Sequence, residues 1–201
     1  MSDITMSDNA SSDNTDELGA TISDFAEVVG KFKNVKNSVI KISIGIHDAG
    51  KFSPGLQSIH FFDKVKSLLD SNKMWDKTET VKSSGHKINN DVYTQEYSYS
   101  NTPFDFMVSA SIENSGTEKI STSTREEIRY SYVHQDYMYH LTKVLQIEEC
   151  ITEEIYEFGI ELLNITNNVS DIYRSHSALL KIRDIINTCE TICGAKVFKI
   201  T

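Results

Sequence analysis

Residues 124–164, TREEIRYSYVHQDYMYHLTKVLQIEECITEEIYEFGIELLN, decide the fold. Three segments within them alternate: 125–133, 137–145 and 156–163. Alternation assigns successive side chains to opposite faces of a strand. In the first segment Arg125, Glu127, Arg129 and Ser131 share one face, backed by Ile128, Tyr130 and Tyr132. In the last, Glu157, Gly159 and Glu161 share a face, backed by Phe158, Ile160 and Leu162. One charged face on one strand needs no purpose beyond solubility. Several adjacent strands with Arg and Glu on one face point instead to a barrel with a charged interior that holds a charged ligand.

Working outward, residues 104–113 show the cleanest alternation. Phe104, Phe106, Val108, Ala110 and Ile112 face a core, with Asp105, Met107, Ser109, Ser111 and Glu113 opposite. Residues 39–47 place Ile40, Ile42, Ile44 and Ile46 on one face and Lys41, Ser43, Gly45 and His47 on the other. Asp48-Ala49-Gly50 is a turn signal, and 51–55 lead into a helix with Ser58 as N-cap and Ile59, Phe62, Val65 and Leu69 along its buried stripe. Trp75, in the polar stretch that follows, is expected as a partly buried anchor. Residues 92–99 read as a strand with Tyr93, Gln95, Tyr97 and Tyr99 on one face, and sheet packing accounts for them. Downstream, Ser170 caps a helix over 171–191, with Leu179, Ile182, Ile186, Cys189 and Cys193 as its stripe, Gly194 as its stop and a short closing strand at 195–200.

The Arg125/Arg129 strand with its Ser-Tyr-Val-His-Gln-Asp continuation resembles the metal-dependent RNA 5′-triphosphatases of mRNA capping, of the fungal, protozoal and viral type. His140-Leu-Thr-Lys-Val144, Glu157-Phe-Gly-Ile-Glu161 and the 104–113 strand resemble the same family, over roughly residues 38–180. The resemblance implies an α+β fold: a closed antiparallel eight-stranded β-barrel, the triphosphate tunnel, with helices packed outside. It implies Glu113, Glu157 and Glu161 as catalytic residues, Arg125 and Arg129 as phosphate-binding residues, and Glu161 as the matched ligand for Mg²⁺ or Mn²⁺. The family's first strand carries a Glu-x-Glu pair, where this chain has Ser43 and Gly45, and Gly159 separates the acids of the last strand. Met138, His140 and Thr142 stand where the family has a basic residue, an aspartate and a threonine. Glu127 replaces a lysine and opposes phosphate binding.

A divalent ion of this kind prefers several carboxylate oxygens near octahedral geometry, and one matched acid does not supply them. The expected function is therefore that of an RNA 5′-triphosphatase homologue with weak or absent catalysis, a pseudoenzyme serving as a capping-apparatus component or partner subunit. Its expected partners are an RNA 5′-triphosphate end, held weakly or not at all, and a capping guanylyltransferase or active homologue, in a homodimer or heterodimer. One alternative is an active metal-dependent triphosphatase that removes the γ-phosphate of nascent mRNA. Another is a scaffold subunit of a transcription complex.

Composition sets the outer bounds. The chain has 201 residues, a formal net charge of −9, two prolines and nine glycines, which suits one domain with a sizeable core. The net charge disfavours binding to RNA or anionic membrane over the whole surface, so anion binding must come from Arg and Lys gathered in a cleft. No apolar run approaches the ~20 residues that span a bilayer, and the expected location is intracellular, in nucleus or cytoplasm. The three cysteines, Cys150, Cys189 and Cys193, read as reduced packing residues. Residues 1–17, rich in Ser, Asp, Asn and Thr, read as a disordered acidic tail ahead of a single domain at 18–201. From Leu18 the spacing of Leu18, Ile22, Phe25, Ala26 and Val29 is helical.

Overall fold

Apolar side chains at helical spacing in three segments and at alternate positions in the strands meet in a single core. The computed structural model describes residues 13–48, 51–56, 58–73, 75–84, 91–97, 104–112, 124–148, 151–166 and 168–193. The elements are α1 (Asp13–Phe32), β1 (Ser38–Asp48), β2 (Lys51–Pro54), α2 (Ile59–Asp70), β3 (Asp76–Ser84), β4 (Asp91–Tyr97), β5 (Asp105–Ile112), β6 (Thr124–His134), β7 (Tyr137–Glu148), β8 (Ile151–Leu162) and α3 (Asp171–Cys193).

Each helix buries one stripe. Phe25, Val28, Val29 and Phe32 of α1, Phe61, Phe62, Val65 and Leu69 of α2, and Ala178, Leu179, Ile182, Ile186 and Cys189 of α3 join one cluster with Ile40, Ile42 and Ile44 of β1, Phe106 and Val108 of β5, and Phe158 and Ile160 of β8. The Ser58 side chain accepts from the Phe61 N–H, as its N-cap position predicts. Trp75 stacks on Tyr139 at 4.7 Å with 16° between the rings and packs partly buried on the core. A second tie joins α2 to the sheet: Asp70 accepts from Lys66, Lys77 and the Tyr132 hydroxyl.

The strands form one antiparallel sheet in the order β3-β6-β7-β8-β1-β5-β4, with β2 paired to β1. Between β6 and β7 a two-residue turn is made possible by Gln135, which adopts φ 55°. Strands β6 and β5 lie four steps apart along this path, which in a flat sheet would separate them by ~19 Å. Arg129 of β6 and Met107, Ser109 and Ser111 of β5 nevertheless line one cavity of about 170 Å³. The sheet is therefore curled, with its concave face polar and its other face covered by the helices. Among the described residues no hydrogen-bonded pairing joins β3 to β4, so the expected closed barrel is observed as a curled eight-stranded sheet.

Three features depart from the sequence reading. Helix α1 begins at Asp13, so the helix takes in residues 13–17 of the segment read as a tail; residues 1–12 lie outside the described residues. Residues 51–54, read as loop, form β2 and pair with residues 45–48 of β1. Residues 76–84, read only as a polar stretch, form β3 and pair with β6 over nine residues. Cys150, Gly194 and the strand expected at 195–200 lie outside the described residues.

Candidate functional site

The concave face is assembled from alternate residues of five neighbouring strands. Burial of Ile40, Ile42 and Ile44 beneath the helices forces Lys41 and Ser43 of β1 to the other side, where both line the cavity. The same logic turns Met107, Ser109 and Ser111 of β5 into it, along with Arg129 of β6, His140 and Thr142 of β7, and Glu157 and Gly159 of β8. The alternation read from the sequence is thus observed on every one of these strands.

A hydrogen-bonded row crosses this face. The Ser131 hydroxyl lies 3.0 Å from His140 Nδ1, and His140 Nε2 lies 3.0 Å from Glu161 Oε2. Register explains the second contact. The residue directly opposite His140 on β8 is Gly159, and Glu161 is opposite Met138. With no side chain at Gly159, the imidazole leans diagonally to the acid two residues along. On the other side of β8, Glu161 stands opposite Lys41 of β1.

Electrostatics follow from this placement. Burial pushes the His140 imidazole below its ordinary value, outweighing the upward pull of Glu161. Burial pushes Glu161 upward, but the hydrogen bond from His140 and the nearby Lys41 and Arg129 hold it below its ordinary value. The pair is therefore a neutral imidazole donating to an ionised carboxylate. One strand over, Arg129 Nη2 donates to Glu127 at 3.3 Å, so this acid neutralises its own neighbour. The Arg129 Nε is buried with no hydrogen-bond partner among the described residues.

Among the described residues no group of three His, Cys, Asp or Glu converges at metal-binding range. Glu161 is directed to His140 and Glu127 to Arg129. Nor are the two glycines open places for acids. A Cβ at Gly45 would lie 2.3 Å from the Ser53 carbonyl oxygen, because β2 covers that position; a Cβ at Gly159 would lie 2.6 Å from the Ile42 carbonyl oxygen. Gly45 does not line the cavity, whereas Pro54 of β2 does.

Of the residues expected to act, Arg129 and Glu157 share the cavity lining, and Glu161 lies beside it through His140. Arg125 is placed on β6 opposite Gln146, on the same side of the strand as Arg129, but its side chain lies outside the description. Glu113 lies outside the described residues. Sequence reading put Lys41 on the correct face yet assigned it no role, and it missed the Ser131–His140–Glu161 row. The spacing of Ser131, His140 and Glu161 carries no signal, since only the β6–β7–β8 register brings them together.

Comparison with solved structures finds the S. pombe Pct1 RNA triphosphatase at TM-score 0.57 and 16% identity, covering 82% of this chain and 91% of that one. The same enzyme in complex with the Spt5 CTD matches at TM-score 0.63 and 14% identity, with equal coverage. The chain therefore has the fold of a capping-type RNA triphosphatase. No protein-family model matches the chain, and no curated protein matches it by sequence.

Proposed function

We propose that this domain is a capping-type triphosphatase relative that hydrolyses 5′-triphosphate ends weakly or not at all and works as a binding component of a capping apparatus, in the nucleus or cytoplasm. The observation that carries this reading is the internal use of the acids on the concave face. Glu161 binds His140 and faces Lys41, and Glu127 binds Arg129. Hydrolysis of a γ-phosphate needs charge neutralisation and a positioned water, and acids held by neighbouring side chains are not presented to a common point. Misplacement by ~1 Å alone can cost on the order of 10²-fold in rate.

A protein partner suits the fold, since one structural neighbour was solved in complex with the Spt5 CTD. The partner favoured for this chain is a capping guanylyltransferase or an active homologue; assembly as a homodimer or heterodimer would bring such a subunit alongside. The deciding experiment measures γ-phosphate release from triphosphate-ended RNA with Mg²⁺ or Mn²⁺. Little or no release is expected. Robust metal-dependent release, abolished by Glu161→Ala, would overturn the inactive reading and assign the activity to this chain.

A further inference from the structure

The helix layer, which covers the sheet face turned away from the cavity, exposes an apolar surface that the core does not use. Helix α3 already buries Ala178, Leu179, Ile182 and Ile186. Its first turn nevertheless presents Ile172 and Tyr173 to solvent, 61% and 66% exposed. Val169, just before α3, and Val35, in the turn after α1, are each 36% exposed. Four of the eight large apolar side chains exposed among the described residues thus lie in two short segments. The fold brings these segments together. Lys33 meets Asp171 at 2.6 Å, and a Cβ on Gly30 would lie 3.3 Å from the same carboxylate. Each of the four apolar residues is within two positions of one member of that ion pair, ~7 Å along the chain. The turn that displays Val35 is held in shape: its N–H donates to the Phe32 carbonyl at 3.0 Å, and the Ser38 hydroxyl donates to the same carbonyl at 2.8 Å.

The local charge is opposite in sign to that of the chain. The net charge is −9, yet no acid stands between Glu27 and Asp48. Between Glu161 and Asp184 the one acid is Asp171, which Lys33 neutralises. Lys31 and Lys36 are exposed, and the Lys31 ammonium lies 5.5 Å from the centre of the Phe32 ring. Aliphatic side chains rimmed by lysines match a peptide whose apolar anchor is flanked by carboxylates. A second copy docked across a two-fold axis would instead bring each lysine cluster toward its own equivalent. RNA would meet the lysines and stack on Tyr173, but would leave Val35, Val169 and Ile172 without an apolar partner.

We infer that the surface around Val35, Lys36, Ile172 and Tyr173 is a docking site for an acidic segment of a partner protein that carries an apolar anchor. The anchor packs on Ile172 and Tyr173, with Val35 and Val169 at its edges. Carboxylates on either side of it pair with Lys31 and Lys36.

The test uses the full chain and a fluorescein-labelled helical peptide of about 16 residues, with Leu at positions i, i+3, i+4 and i+7 and Glu flanking them. Fluorescence anisotropy reads the binding. Saturable binding that weakens with added NaCl is expected. Ile172→Ser, Tyr173→Ser and Lys36→Glu should each weaken it on the order of 10-fold. Val81→Ser, which changes a side chain 69% exposed on β3, should leave it unchanged. A peptide with Lys in place of Glu should bind the double variant Lys31→Glu, Lys36→Glu better than the native chain, a gain that damaged folding cannot produce. No saturable binding by the native chain, or equal affinity in Ile172→Ser and Val81→Ser, would overturn the assignment. So would tighter binding of single-stranded oligouridylate than of the peptide, or a dimer in sedimentation that Ile172→Ser dissociates. Phosphate release from RNA reads the concave face instead, so this inference and the proposed function fail separately.

Discussion

Adding one methyl group at Gly45 tests whether β2 truly closes the position where a metal-binding acid would stand. The new Cβ would lie 2.3 Å from the Ser53 carbonyl oxygen and 2.5 Å from Phe52 Cζ, where ordinary contact begins at 3.4 Å, so β2 must withdraw by about 1.1 Å. That strand has little freedom to move. Phe52 is buried, Gly55 N–H donates to the Ile44 carbonyl at 3.0 Å, and Leu56 N–H donates to Tyr156. Overpacking of this kind costs about 1–3 kcal/mol. Loss of glycine freedom in the unfolded chain offsets about 0.4–1 kcal/mol of it.

Gly45→Ala should therefore be destabilised by roughly 1–2 kcal/mol, a drop in Tm of about 2–8 °C for a domain of this size. Urea unfolding followed by circular dichroism reads the difference, with Ser43→Ala on the same strand expected within about 0.5 kcal/mol of the native chain. Gly45→Glu and Gly159→Glu should lose more stability than Gly45→Ala and gain no affinity for Mn²⁺. A Gly45→Ala protein as stable as the native chain, or no less stable than Ser43→Ala, would refute the steric account of β2.

Three other outcomes follow from the contacts. Burial pushes the Asp70 carboxyl upward, but hydrogen bonds from Lys66, Lys77 and Tyr132 prevail and hold it down at about 2, against 3.8 in the unfolded chain. The stability it lends is present above pH 3.8 and is lost as the pH falls toward 2; with its side chain a third exposed, that is on the order of 1 kcal/mol. Urea midpoints of Asp70→Asn and the native chain should converge as the pH falls from 5 to 2, and parallel curves would count against the tie. Tripolyphosphate should bind weakly in isothermal titration, and Arg129→Ala should weaken it further. Tight binding that survives the change would locate the anion site elsewhere. Finally, His140→Ala and Glu161→Ala should be strongly non-additive, with a coupling of about 0.5–3 kcal/mol in a double-mutant cycle; additive costs would mean that the imidazole and carboxylate do not hold each other.

Strands with one face in the core were legible because burial imposes a period of two, clearest in β8, where Tyr156, Phe158, Ile160 and Leu162 are buried and the residues between them are not. Strand β3, DKTETVKSS, carries no such period: Val81, its one large apolar residue, is 69% exposed, and backbone pairing with β6 holds it in place. Strand β2 is four residues long with a single buried position, Phe52, too little pattern to separate from loop. The candidate site was legible only as a face. Alternation placed Lys41, Arg129, His140 and Glu161 inside, but which of them touch depends on register between strands distant in sequence. The closing contact depends on the missing side chain of Gly159.

Charges on the concave face are arranged in neighbouring pairs of opposite sign or donor and acceptor. Carboxylates gathered without an ion repel one another, and a cation there without an acid is equally uncompensated. On this face Ser43 and Gly159 line the cavity between the charged residues, and Gly45 is covered by β2. Two of the acids meet a partner from the same face: Glu161 takes a proton donor from His140 with Lys41 opposite, and Glu127 takes Arg129. Breaking one member of a buried pair typically costs about 3–5 kcal/mol, because the other is left uncompensated. The partly buried pairs here feel a reduced form of the same penalty. A single new acid at Gly45 or Gly159 would therefore add charge to this face and also displace backbone. The balance is maintained by side chains, and the Ser131–His140–Glu161 row is its longest hydrogen-bonded part.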